Sequence, residues 1–159
     1  MKEQTCCFTG HRKIPLNERA AIQERLESEI VELVRQGVRY FGAGGALGFD
    51  TMAAQAVIRL RPALPHIRLI LVLPCKNQTM GWKEADIKIY NRIREEADKV
   101  VYTSEGYYEG CMRKRNRHLV DSSRFCVCYL TGAAGGAAYT AGYAADQGLF
   151  VINIACKTG

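Results

Sequence analysis

The sequence predicts an α/β protein in which a doubly wound, mostly parallel sheet carries helices on both faces, within a single domain spanning residues 1–159. Three observations predict it. Short apolar runs alternate with amphipathic stretches along the whole chain, the pattern of repeated strand–helix–strand units. The run Ile67–Leu73 is apolar at every position except Arg68, as expected for a strand covered on both faces. No linker, internal repeat or low-complexity tract interrupts the alternation.

Taken in order, Thr5–Thr9 reads as the first strand, ended by Gly10. Asn17 then caps a helix to about Gln36, with Ile22, Leu26, Ile30, Leu33 and Val34 on one stripe and Gly37 as its stop. Val38–Phe41 is the second strand, and Asp50 or Thr51 opens a second helix with Met52, Ala56 and Ile58 on its apolar face. Pro62 and Pro65 bracket the turn before the third strand, Ile67–Leu73. A loop at Asn77–Lys83 holds the single Trp, Trp82, and precedes a helix from about Glu84 to Ala97. A strand at Lys99–Tyr102, a loop at Thr103–Gly110 and a helix at Met112–Asp121 follow. Phe125–Leu130 is the fifth strand, Gly135 to Gln147 an Ala-rich helix ended by Gly148, and Phe150–Ile154 the last strand.

Composition bounds the function. The chain is 48% hydrophobic and 24% charged, ordinary for a folded soluble protein. No apolar run approaches the roughly 20 residues that span a bilayer, and the start Met1-Lys2-Glu3-Gln4 lacks a signal-like region, so the expected location is the cytoplasm and no membrane partner is expected. The 7 cysteines are an odd number and show no second pair at metal-ligand spacing beside Cys126 and Cys128. They read as buried, reduced thiols, and no metal site is expected. The net charge of +6 is concentrated at Arg113, Lys114, Arg115, Arg117 and His118, and is modest for a dedicated duplex-DNA binder.

Four loops follow strand-like runs: Gly10-His11-Arg12, Gly42 to Asp50, Pro74-Cys75-Lys76, and Thr131 to Gly136. In a parallel sheet these loops share one edge. Glycine lets backbone N–H groups approach an anion, and a following helix adds its positive end. The candidate ligand-binding residues are Gly10, His11, Arg12, Gly44, Gly45, Gly48, Asp50, Pro74, Lys76, Arg113, Asn116, Thr131, Gly132, Gly135, Gly136 and Thr140. Arg12 and Lys76 supply charge for phosphate, Arg12 as a fork. His11 reads either as a base-stacking or donating group or as a packing residue. Asp50 reads either as a helix cap or as an acceptor for ribose hydroxyls. Helical spacing places Arg113 with Asn116 and Arg117 on one face. No Gly-Lys-Ser/Thr phosphate loop, Ser-His-Asp or Cys-His arrangement is present, and no catalytic residue is assigned. Glu105 and Glu109 stand in the loop before the basic helix.

The segments Cys7-Phe8-Thr9-Gly10-His11-Arg12, Gly42 to Asp50, Arg115-Asn116 and Gly135-Gly136 with Thr140 resemble the SLOG superfamily, most closely its DUF1273 or YpsA-like branch. The resemblance covers nearly the whole chain. It implies a Rossmann-like fold and a pocket for nucleotides or nucleotide-derived ligands, with Gly44, Gly45, Gly48, Asp50, Gly135, Gly136 and Thr140 at matching positions. The same superfamily holds the LOG phosphoribohydrolases, whose catalytic glutamate would fall at Gly142, and the DprA single-strand DNA-binding proteins. The leading expectation is binding or sensing of an ADP-ribose- or NAD-like ligand or a nucleoside phosphate, with no other cofactor. The alternatives are LOG-like cleavage of a nucleotide and DprA-like binding of single-stranded DNA through Arg113–His118, with Tyr107 and Tyr108 nearby to stack bases. Besides a small nucleotide derivative, a second copy of the chain is an expected partner, through the Ala-rich last helix. Nucleic acid ranks below both.

Overall fold

In the computed structural model, residues 1–132 and 134–155 are described. Its six strands are β1 (Thr5–Gly10), β2 (Tyr40–Ala43), β3 (Arg68–Leu73), β4 (Lys99–Tyr102), β5 (Phe125–Tyr129) and β6 (Phe150–Asn153). They form one all-parallel sheet in the order β4-β3-β2-β1-β5-β6. Five α-helices connect them: α1 (Arg19–Arg35), α2 (Phe49–Leu60), α3 (Glu84–Glu96), α4 (Cys111–Asp121) and α5 (Gly136–Asp146).

Strand periodicity divides the core in two. In β1, Cys6 and Phe8 face α1 and α2, where Ile22, Leu26, Ile30, Phe49 and Val57 bury against them, with α3 completing that layer. Cys7 points the other way, towards Leu119 and Val120 of α4 and Ala141 and Ala144 of α5. Gly42 lets α4 come close: a Cβ there would stand 2.8 Å from Leu119 Cδ2. The six cysteines among the described residues are buried. Cys156 and Ala133, part of the fourth loop, lie outside those residues.

Element types match the sequence reading; several ends differ for local reasons. Asn17 does not cap α1. Pro15 (φ −53°) starts a 3-10 turn over Leu16–Glu18, and α1 opens at Arg19 with no side-chain cap. The second strand begins later than Val38 because Val38 N–H returns to Leu33 O at 3.0 Å, closing the helix exit around Gly37. α2 opens at Phe49, with Gly48 (φ +83°) as its first flanking residue, so Asp50 lies inside the first turn and is not the cap.

Candidate functional site

Strand order places the site. The chain winds outward from β1 through β2 and β3 to β4, then returns to β5 on the other flank of β1. The loops leaving β1 and β5 therefore turn apart at the C-terminal edge and open a crevice, where doubly wound folds bind ligands. A cavity of about 330 Å³ occupies it. Gly10, His11 and Arg12 after β1 form one wall, Ala46 and Asp50 another, Met112, Arg115 and Asn116 of α4 a third, and Gly136 and Ala137 of α5 the fourth.

Arg115 is the unusual member. It is only 3% exposed. Its Nη1 donates to the Gly44 carbonyl and its Nε to Asn116 Oδ1 at 2.6 Å. Burial lowers its pKa, while the neighbouring Asp50 carboxylate raises it. Asp50 is likewise buried, and its Oδ2 accepts the Ala46 N–H at 3.3 Å. Burial raises the Asp50 pKa against the opposing pull of Arg115, the Ala46 N–H and Arg12. A buried arginine and a buried carboxylate thus face one cavity, an arrangement costly to desolvate unless each offsets the other. Asn116 Nδ2 has no partner among the described residues and stays available for the cavity.

The glycines fall into two groups. A Cβ on Gly10 would collide with the Phe49 side chain at 2.5–2.7 Å, and one on Gly44 would stand 2.6 Å from Arg115 Cζ and 2.9 Å from Asp50 Oδ2. A Cβ on Gly48 would run into the Arg12 backbone, and one on Gly45 into Leu73. These four glycines let the chain pack on itself. Gly132, Gly135 and Gly136 have nothing within 4 Å of a Cβ position. Gly135 (φ +99°) flanks α5 with no side-chain cap, so the first N–H groups of that helix meet open space at the cavity wall.

The other sequence-derived candidates scatter around this centre. His11 stacks edge-on against Tyr129, with centroids 5.8 Å apart, and its Nε2 accepts the Thr131 N–H at 3.0 Å, tying the β1 loop to the β5 loop while its ring lines the cavity. Thr131 and Gly132 are exposed, and Thr140 is buried within α5, its hydroxyl donating to Gly136 O at 2.9 Å. Pro74 is buried. Lys76 is not among the cavity-lining residues and pairs with Glu105 at 3.7 Å. Arg113 is outside the cavity too: its guanidinium lies 4.0 Å over the Tyr139 ring. Glu109 is exposed, as is Gly142 on α5, and neither lines the cavity.

The sequence reading put Arg113 with Asn116 among the ligand-binding candidates and named Arg115 only within the basic run and the family-like Arg115-Asn116 segment. Helix phase explains the difference. Cys111, Leu119 and Val120 of α4 are buried, and Arg115 stands four residues from both Cys111 and Leu119, on the same inward stripe. That spacing was available in the sequence. Arg113, Lys114, Arg117 and His118 turn outward and line a separate open groove.

Fold and crevice define a class: a doubly wound α/β domain with a charged cavity at the reversal of strand order. The chain belongs to the YspA SLOG family, whose model, YpsA, matches residues 6–147. It is 38% identical over 104 residues to a UPF0398 protein of Halalkalibacterium halodurans, covering 64% of this chain and 55% of that protein. It is 29% identical over 136 residues to the uncharacterized SPbeta prophage-derived protein YoqJ of Bacillus subtilis, covering 77% and 80% respectively. The chain thus spans about half the length of the UPF0398 protein. Among solved structures, DNA processing protein A of Helicobacter pylori superposes with a TM-score of 0.64 at 20% identity, over 94% of this chain and 65% of that one. The Streptococcus pneumoniae protein of the same name gives 0.67 at 18%, over 94% and 50%. At such identities the likeness is one of fold. No helix among the described residues is long and apolar enough to cross a membrane.

Proposed function

We propose that the crevice binds a nucleotide-derived ligand, an ADP-ribose- or NAD-like molecule or a nucleoside phosphate. One observation carries the reading: a buried arginine, a buried carboxylate and an uncapped helix start line the same cavity. The open N–H groups at Gly136 and Ala137, with the Arg12 side chain across from them, suit phosphate oxygens. Asp50 and Asn116 suit ribose hydroxyls, and Met112 gives an apolar contact. The volume of about 330 Å³ lies at the small end of ligand pockets, which run from about 300 Å³. Membership of the SLOG family supports the same ligand class. Among the described residues Asp50 is the carboxylate that lines the cavity, and Gly142 has no side chain, which favours binding or sensing over LOG-like cleavage.

Calorimetry with ADP-ribose, NAD and nucleoside monophosphates tests the proposal. At least one should bind, and Arg12→Ala should weaken it by about tenfold to a hundredfold, since a hydrogen bond to a charged group contributes about 1.5–3 kcal/mol. Arg12 is exposed and its side chain makes no hydrogen bond or ion pair among the described residues, so the melting temperature should change little. Failure of every nucleotide to bind would overturn the proposal.

A second reading, single-stranded nucleic acid on the outer face of α4, is favoured by the groove of Arg113, Lys114, Arg117 and His118 and by Tyr107, 68% exposed, in the preceding loop. The DNA processing protein A structure from Helicobacter pylori is described as having a single-stranded DNA binding mode. Binding of an oligonucleotide that weakens steeply as salt rises supports this reading, and salt-independent or absent binding removes it.

A further inference from the structure

Two side chains of the crevice could present either a hydrogen-bond donor or an acceptor, and in both a neighbour that can only donate makes the choice. Asn116 is the first. Its amide carries a carbonyl oxygen and an NH2 group that trade places by a half turn. Arg115 Nε has a proton and no acceptor capacity, so the atom it meets at 2.6 Å is the Asn116 oxygen. The other corner of the amide, Nδ2, is a donor, and Asn116 lines the cavity. His11 is the second. Its Nε2 takes the Thr131 N–H at 3.0 Å, so that nitrogen is bare and the proton of the neutral ring sits on Nδ1. Thr9, also in the lining, can rotate its hydroxyl to serve either way.

Arg115 is itself fixed. It is 3% exposed, lies on the inward stripe of α4 with Cys111 and Leu119, and donates from Nη1 to the Gly44 carbonyl. Turning the Asn116 amide over would set its NH2 against the Arg115 Nε–H and leave a buried donor unpaired, which costs more than the bond itself contributes.

We propose that Arg115 is a positioning residue that holds Asn116 as an obligate donor, and that Asn116 uses this donor to read a ribose hydroxyl of the ligand. This inference rests on the nucleotide reading above and names the residues that set its sugar specificity. The complement is Asp50, since an ionised carboxylate only accepts. A hydroxyl oxygen can take an Asn116 N–H and still give its own proton to a carboxylate, which an ether oxygen cannot do.

The test is calorimetry with AMP on the whole chain. Asn116→Ala should weaken AMP by about threefold to tenfold, as loss of one hydrogen bond does. Asn116→Asp keeps the shape and the Arg115 bond but turns the donor into an acceptor. It should weaken AMP by about tenfold or more beyond Asn116→Ala. Its unliganded melting temperature should be no lower than wild type, because Arg115 then meets a carboxylate. Of 2′-deoxy-AMP and 3′-deoxy-AMP, at least one should bind wild type about threefold to tenfold more weakly than AMP, and Asn116→Ala should erase that gap. Arg115→Lys keeps the charge without Nε, so Asn116→Ala should cost less in that background than in wild type. If Arg115→Lys does not fold, the wild-type Arg115 Nε proton gives the reading by NMR: it should be protected from exchange with solvent before and after AMP is added.

Asn116→Asp binding AMP as well as Asn116→Ala, or a deoxy gap that survives Asn116→Ala, overturns the donor assignment and leaves the crevice reading to the Arg12 test. An Asn116→Ala cost unchanged by Arg115→Lys, or a rapidly exchanging Nε proton, overturns the positioning role. If AMP does not bind wild type, this inference falls, and the crevice reading then rests on ADP-ribose, NAD and the other nucleoside monophosphates.

Discussion

Gly44→Ala probes the most constrained point of the site. The new methyl would stand 2.6 Å from Arg115 Cζ and 2.9 Å from Asp50 Oδ2. A surface arginine would swing aside at little cost. Arg115, 3% exposed and held by Gly44 O and Asn116 Oδ1, has no solvated position to reach without opening α4 from the loop. Overpacking of this kind costs about 1–3 kcal/mol. Losing a hydrogen bond to a charged group adds about 1.5–3 kcal/mol. The sum, roughly 2.5–6 kcal/mol, is a large part of the 5–15 kcal/mol that typically stabilises a domain. At about 2–4 °C per kcal/mol for a chain of this size, the melting temperature should fall by roughly 10 °C. Urea unfolding followed by circular dichroism measures the free-energy loss and a thermal melt the temperature shift, with Gly136→Ala, whose Cβ meets open space, as the matched control expected to stay within about 1 kcal/mol of wild type. A Gly44→Ala protein as stable as that control would refute the tight Gly44–Arg115–Asp50 packing.

Two further substitutions test other parts of the account. Gly142→Ala fills an exposed helical position with nothing nearby and should stabilise by about 0.5–1 kcal/mol in the same urea assay; destabilisation would show that the position makes contacts the structure lacks. Burial, and then the neighbouring Tyr102, raise the Tyr90 phenol from 10 to about 12. A folded pKa above the unfolded one gives stability that is complete below pH 10 and falls as pH rises through about 12, because the unfolded chain ionises first. Melting curves across that window should show wild type losing stability faster than Tyr90→Phe; parallel curves would mean the hydroxyl is solvated.

Much of the fold was legible because its signals are local. The leucine and isoleucine stripe of α1 and the apolar run of β3 each need only their own neighbourhood to be read. The doubly wound arrangement followed from the alternation of strands and helices along the chain. The site was legible in outline: His11, Arg12, Asp50, Asn116 and Gly136 do gather at one cavity. What escaped the sequence depends on contacts between distant segments. Gly10 is glycine because of Phe49, and Gly48 because of the Arg12 backbone. Such packing glycines look identical in sequence to Gly135 and Gly136, which stand open at a helix start. Lys76 reads as a phosphate ligand, yet it is not among the cavity-lining residues and its ammonium lies 3.7 Å from Glu105, in the loop after β4. Arg115 was hidden inside a basic run whose other members are solvated.

Amide and guanidinium NMR of the isotope-labelled chain, titrated with ADP-ribose, tests the central claim most directly. The account predicts that the largest shifts fall on the Gly136 and Ala137 amides and on Arg115 Nε, with Arg113 and Lys114 nearly unmoved. Shifts confined to the outer face of α4, with Gly136 and Arg115 unchanged, would contradict it.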